Sequence, residues 1–488
     1  MSLDRRSFLR VVGVSAAGAV AAACSTPESG PAAPTSGVTA APSSSKVVPA
    51  GPPDWAALKG RLSGGLVLPG ESGFDQVKRG FNTLYDGRKP AAVAQCAKPD
   101  DVRACVEAAA GRVPVAARAG GHSYAGYSTP DGGLVVDLAK MSQVDVQGDR
   151  VVIGAGAKLK DVYAAVGKAG RCLPAGSCPS VGIAGLTLGG GLGVLARKYG
   201  LTCDHLVSAQ VVTADGQLRT ASAESEPDLF WALRGGGGGN FGIVTSFTFR
   251  TDPAPAVTVF SLHFPDGTAG VVLGPWQEWI AGAPPELWSN FVLGGGSRVR
   301  VGGTFLGSAA QLGQLLDDFV AQTGTRQTSR LVKPMDYLGA MKYFSGSESR
   351  QTFVAASRVI GEPLAEPKKL VELAKYPAID LLIDSLGGEV AKLAPTDTAF
   401  WHRKALATVQ VYSQATAQNH DEAQKNVNAV VQGLAGIGAS GAYVNYIDPG
   451  LPDWMTAYYG DNVRKLREVA KKYDPDKVFG FAQAITPA

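Results

Sequence analysis

From Ala92 onward, short apolar runs alternate with longer stretches whose apolar positions recur at helical spacing. The run AVAQCA reads as a strand, and DDVRACVEAAAG as a helix begun near Asp100 and stopped by Gly111. VPVAARAGG is a strand entering a glycine turn, and GGLVVDL is another strand. VDVQGDRVVIGAG reads as a hairpin around Gly148, and KLKDVYAAVGKAG as a helix closed by Gly170. HLVSAQVVTADGQLRTAS predicts two strands around Asp215-Gly216, and PDLFWALRGGGGGNFGIVTSFTFR a helix, a glycine loop and a strand. Short strands and helices mixed in this way predict an α+β unit, not a regular βαβ series.

The pattern changes near Pro253 and Pro255. Strand-like runs such as VTVFSLHF, LWSNFVLGG and RVRVGGTFLG then mix with helices such as AAQLGQLLDDFVAQTG. They predict a second unit, an antiparallel sheet with helices on one face, ending near Gly438. GAYVNYIDPG reads as one more strand. WMTAYYGDNVRKLREVAKKYDPDKVFGF reads as an amphipathic helix that ends before Asp474-Pro475 and packs back on the first unit. The expected boundaries are 54–254, 255–438 and 439–488.

The N-terminal residues follow neither pattern. Arg5 and Arg6 precede an uncharged stretch, Val11 to Ala23, too short to span a bilayer but suited to an export signal. The paired arginines and Phe8 resemble a twin-arginine signal, and AAAC, ending at Cys24, resembles a lipoprotein cleavage site. Residues 25–53 are nearly all Ser, Pro, Ala, Gly and Thr, a composition that buries too little apolar surface to offset its ordering entropy. We therefore expect residues 1–24 to be an export address, residues 25–53 a tether, and the product to lie outside the cytoplasm. Membrane attachment through a lipidated Cys24 is then open.

Composition narrows the chemistry. At 488 residues and 45% hydrophobic, the chain can bury sizeable cores, and a net charge of +4 without a basic block argues against nucleic-acid binding. The 62 glycines gather in runs, chiefly Gly189, Gly190, Gly191 and Gly193, and then Gly235 to Gly239 with Gly242. Such runs let backbone N–H groups approach an anion. Gly191, Gly193 and Ala196, with Asp215 downstream, match a dinucleotide-binding G-x-G-x-x-A. However, GIAGLTL ahead of them is a poor strand and no βα alternation follows.

No Cys/His spacing supports a metal site. On chemistry alone a buried inert thiol is the default for Cys178, although a disulfide would suit an exported protein, and pairing of Cys172 with Cys203 stays open. His122 is one of five histidines and follows a strand at a glycine turn, where a side chain can enter a cleft.

Taken together, RAGGHSYAGYS and PAGSCPSVGIAGLTLGGGLGVLARKYGLTCDHL closely resemble the berberine bridge enzyme-like flavoproteins, within the p-cresol methylhydroxylase and vanillyl-alcohol oxidase group. The resemblance runs on through VVTADG, AFWHR and AYVNYIDPG and covers the chain from about Leu84. It implies a two-part FAD-binding domain, with a substrate domain whose antiparallel sheet is covered by helices. It implies FAD bonded twice, at 8α by His122 and at C6 by Cys178, both residues being suitable nucleophiles. Arg118, Gly120, Gly121 and Ser123 would form the loop around the pyrophosphate. Gly189, Gly190, Gly191, Gly193, Gly239, Asn240 and Gly242 would assist, with Ile243, Val244 and Asn445 also on the cofactor.

By the same resemblance, Tyr446 would deprotonate a substrate hydroxyl while hydride passes to flavin N5, with Tyr124, Gln410 and Tyr443 on the substrate side. Val181 matches a position that leaves room for oxygen, implying an oxidase that acts on an alcohol or carbohydrate and releases peroxide. An oxidative ring closure, or a dehydrogenase with another acceptor, is the alternative. The sequence departs from the family in two places: Leu186 and Thr187 stand where a GGH is usual, and YGLTCD replaces YGLAAD.

Overall fold

The computed structural model describes residues 51–416 and 418–488. The expected export address, the tether and Cys24 lie outside the described residues, apart from Gly51 to Pro53. No described helix is long and apolar enough to cross a membrane.

The first sheet has four strands, in the order Leu66–Val67, Ala92–Gln95, Leu134–Asp137, Val115–Arg118. The last three are parallel, so the chain must cross over between them. Helix Pro99–Ala109 does so, begun by Pro99 at its first turn and by Asp100 and Asp101 near its positive end. The second sheet is antiparallel, in the order Val144–Gln147, Arg150–Gly154, Ile243–Arg250, Leu206–Val212, Leu218–Ser222. Its first two strands form the expected hairpin, with Gly148 at φ +65°. The two sheets and helix Leu159–Lys168 share one apolar core that includes Val136, Val162 and Phe247.

Every strand of the seven-stranded antiparallel sheet falls between Val257 and Gln414. Helices Ala269–Gly282, Ala309–Thr323, Pro367–Leu373 and His420–Gly436 pack with the sheet around a second core, with Phe291, Leu293, Leu381 and Val409 inside it. The side chains alternate across each strand. In Leu287–Gly294 the odd positions Leu287, Phe291 and Leu293 join that core, while Trp288 and Asn290 face the opposite way.

Two expectations change. GAYVNYIDPG is not a strand. After one bridge, Val359 to Gly441, it turns into a 3-10 segment at Val444–Tyr446. The ladder stops because the Tyr443 N–H donates to the Ser357 hydroxyl (2.9 Å), not to a backbone carbonyl. GIAGLTL, a poor strand by its sequence, is the core of helix Ile183–Leu188, in keeping with the weak dinucleotide match, which requires a strand there. Asp215 is likewise engaged locally, by Thr213, Gln217 and Arg219. The C-terminal helix is two helices, Trp454–Tyr459 and Val463–Tyr473, broken at Gly460. Gly460 has φ +49° and lies so close under Trp401 that a Cβ would come within 2.2 Å of its ring. The second helix does return to the first unit, where Tyr473 donates to Asp228 (2.7 Å).

Candidate active site

His122 and Cys178 come from loops that the backbone itself holds together. A Cβ on Gly120 would sit 2.3 Å from the Gly182 nitrogen, and one on Gly182 equally near the Gly120 nitrogen. Only two glycines allow this approach. The Cys178 loop is fixed further by Val181 N–H to the Cys178 carbonyl (3.2 Å). The N–H groups of Leu159 and Lys160, opening helix Leu159–Lys168, bond the Val181 and Pro179 carbonyls at 3.0 Å each.

The His122 ring stacks on Phe81 with centroids 3.8 Å apart, and its Nε2 lies 3.0 Å from Ser180 Oγ. Burial lowers its pKa to about 3, and the Lys158 charge adds to this, so the imidazole is neutral. Cys178 is half-buried and in no disulfide. Cys172 and Cys203, whose pairing was open, are both free thiols, and the Cys172 thiol faces the Pro253 carbonyl.

Both residues line one cavity of about 330 Å³ between the first two sheets and the even-numbered face of the seven-stranded sheet. Its floor carries the glycine loop 237–239. A Cβ on Gly238 would meet nothing closer than 3.8 Å, so the backbone there is open to a ligand. Asn240 holds this loop through Nδ2 to the Gly236 carbonyl (3.0 Å), and its Oδ1 accepts the Ile485 N–H (2.9 Å). Ile243 and Val244 also line the cavity while pairing in register with Val212 and Val211.

Some expected cofactor residues act from behind the wall. Gly189, Gly190 and Gly191 do not line the cavity; they make room for Asn445, Phe400 and Thr202, each of which a Cβ would strike. Gly193 does line it, with the Ala175 carbonyl 1.8 Å from where its Cβ would be. Arg118 is buried, and its guanidinium bonds the Asp137 carboxylate (2.5 Å) and the Lys78 and Val77 carbonyls, so it anchors the loop. Ser123 Oγ accepts the Tyr127 N–H at 3.1 Å, closing the same loop.

The opposite wall gathers the tyrosines. Tyr124 and Tyr446 stack with centroids 5.4 Å apart and planes 10° from parallel, and Gln410 Nε2 donates to Tyr124 Oη at 2.5 Å. Tyr443 is different. Its hydroxyl accepts from Gly191 N–H (3.1 Å), Leu192 N–H (3.2 Å) and Asn445 Nδ2 (2.8 Å), and burial pushes it up to about 12. It braces the glycine turn. Asn445 also donates to the Leu186 carbonyl at 2.9 Å.

Sequence reasoning missed Ser180, Phe81, Trp288 and Asn290. Trp288 Nε1 and Asn290 Oδ1 are buried at the cavity with no hydrogen-bond partner. The alternation in LWSN was the available signal, since it puts both on the face away from the helices.

Two family models match: the FAD binding domain over residues 90–222, and the berberine and berberine-like family over residues 442–486. An uncharacterised FAD-linked oxidoreductase of Bacillus subtilis, YgaK, is 35% identical over 452 residues, covering 88% of this chain and 98% of its own. The chain belongs to the berberine bridge enzyme-like FAD-linked oxidoreductases. Within this family, the xylooligosaccharide oxidase of Thermothelomyces thermophilus is 32% identical, over 82% of this chain and 88% of its own. The glucooligosaccharide oxidase of Acremonium strictum superposes with a TM-score of 0.80 at 27% identity, over 87% of this chain and 97% of that one. The protein is thus an FAD-dependent oxidoreductase of the α+β fold shared by this family. The open glycine backbone, the neutral imidazole and the thiol beside it form a donor set that fits the flavin.

Proposed function

We propose that this protein is an exported oxidase of carbohydrate or alcohol hydroxyls, with FAD bonded to both His122 and Cys178. The observation that carries the reading is that both side chains, on loops brought together at the Gly120–Gly182 contact, line the cavity that also holds Tyr446. The relative from Acremonium strictum is described with a 6-S-cysteinyl, 8α-N1-histidyl FAD, and other relatives are oligosaccharide oxidases. The chemistry that FAD supplies when bound is acceptance of hydride from carbon, with reoxidation by oxygen. The loop from Arg118 to Ser123 and the open backbone at Gly238, Gly239 and Asn240 would hold the pyrophosphate.

Tyr446 takes the substrate hydroxyl proton, with its ring held between Tyr124 and Tyr443. Gln410 fixes the Tyr124 hydroxyl through its amide donor. The unsatisfied Trp288 N–H and Asn290 carbonyl suit a substrate carrying several hydroxyls, which both donate and accept. Export rests on the N-terminal address, and the FAD-binding and substrate domains divide near residue 255.

The test is direct. Acid-denatured protein keeps its yellow colour, and peptide masses place flavin on both residues. Cys178→Ala keeps flavin through His122, and His122→Ala keeps it through Cys178. A wild-type chain of apo mass overturns the attachment, and a panel of sugars and alcohols giving no peroxide overturns the oxidase.

A further inference from the structure

A neutral imidazole has one N–H and one lone pair, so only the nitrogen without the proton can form a bond to carbon. Which nitrogen that is depends on the hydrogen bond the other one makes. In His122 the engaged nitrogen is Nε2, 3.0 Å from Ser180 Oγ. Neither partner is free to drift. Ser180 is buried in the turn closed by Val181 N–H to the Cys178 carbonyl, one residue before the Val181–Gly182 peptide that abuts Gly120. The imidazole is clamped on its face by Phe81.

We propose that Ser180 is a positioning residue that holds His122 in the Nε2–H tautomer, accepting that proton at Oγ and leaving the Nδ1 lone pair for the 8α carbon of the isoalloxazine. The inference rests on the proposed double attachment and adds a residue to it. The bond balances as follows. An 8α C–H bond breaks and an Nδ1–C bond forms. The hydrogen from the methyl group and the one from Nε2 end on the isoalloxazine with two electrons, reducing it. Oxygen then takes both hydrogens and both electrons as hydrogen peroxide. The Nε2 proton departs along its contact with Ser180, so the hydroxyl that sets the tautomer also lies on the proton's way out. The opposite tautomer, in which Ser180 donates to Nε2, leaves Nδ1 protonated and unable to bond.

The experiment compares the flavin load of purified holoprotein from the wild type, Ser180→Ala, and the isosteric pair Ser180→Thr and Ser180→Val. Peptide masses quantify the His122 and Cys178 linkages separately. In Ser180→Ala and Ser180→Val we expect the Cys178 linkage to be retained and the His122-linked fraction to fall at least about tenfold, with Ser180→Thr near wild type. A structural role alone would not separate the two linkages, nor would it follow the hydroxyl between threonine and valine. Ser180→Val carrying the His122 bond as fully as Ser180→Thr overturns the proposal even if Ser180→Ala fails to fold. Loss of both linkages together in the folded variants also overturns it. A wild type without flavin on either residue sinks the double attachment itself, a result distinct from both.

Discussion

Tyr443 and Tyr446 stand three positions apart, and their surroundings give them different work. Tyr443 spends its hydroxyl on three donors and is held at about 12, so it stays protonated and bound to the glycine turn. Tyr446 lies on the cavity against Tyr124. Tyr446→Phe should therefore lower kcat by about 10²–10⁴-fold with both flavin linkages intact. Tyr443→Phe should instead cost about 1–3 kcal/mol of stability by stranding buried N–H groups. Stopped-flow flavin reduction and denaturant unfolding separate the two; equal kcat losses would contradict the division.

His402 makes a second prediction at this scale. Burial lowers it to about 4, against an unfolded value near 6.5. The unfolded chain therefore binds the proton first, and the stability present above pH 6.5 is lost as pH falls toward 4. Asp380, pushed up to about 6 by burial, acts in the opposite sense, stabilising at low pH and losing that contribution as pH rises through 6. Only a difference isolates the histidine. Between pH 7 and 4.5 the wild type should lose stability relative to His402→Gln, by up to about 1.4 kcal/mol per pH unit. Parallel unfolding curves would show that His402 is not buried neutral. That His122 and Cys178 would line one cavity was legible because histidine and cysteine each sat in a distinctive glycine context. Ser180 was not, because its meaning comes from a ring 58 positions away.

Among the elements, the loops around the cavity are fixed by missing side chains. Gly182→Ala puts a Cβ 2.3 Å from the Gly120 nitrogen, where no flexible side chain can give way. The loops must part. We expect about 1–3 kcal/mol of destabilisation and a clear fall in doubly linked flavin. Gly60→Ala, in helix Trp55–Arg61 away from the cavity and meeting nothing within 4 Å, serves as the control. Full double linkage in Gly182→Ala would refute the role given to this contact. Most strands and helices were legible from periodicity alone, because each buries one face. The failures share a cause: in 441–446 a serine hydroxyl replaces the ladder partner, and at Gly460 a tryptophan ring dictates the backbone. Both are tertiary facts that no local pattern carries.

For the molecule as a whole, a buried ion pair joins distant parts of the chain. Arg403 is fully buried, bonding both Asp204 carboxylate oxygens at 2.7 Å and Thr398 Oγ1 at 2.6 Å. The pair links the segment after the first glycine run to the segment leading into the strand of Gln410. Arg403→Met leaves the largely buried Asp204 with only the Leu201 N–H as a strong donor and should cost up to about 3–5 kcal/mol. Chemical denaturation would test this, and a loss below about 1 kcal/mol would show that water reaches the carboxylate. The onset of the seven-stranded sheet at Val257 was legible in the change of pattern near Pro253. The meeting of Trp288 and Asn290 with the flavin loops was not, since it depends on how one sheet lies over another.

The bond from Ile485 to Asn240 has a consequence for how the protein matures. The loop at 237–239 is synthesised long before Ile485, so a nascent chain carries these glycines, and the Asn240 bond to Gly236, before Asn240 gains its Ile485 donor. On the proposed reading of this loop as the pyrophosphate site, firm cofactor capture waits until translation has passed Ile485.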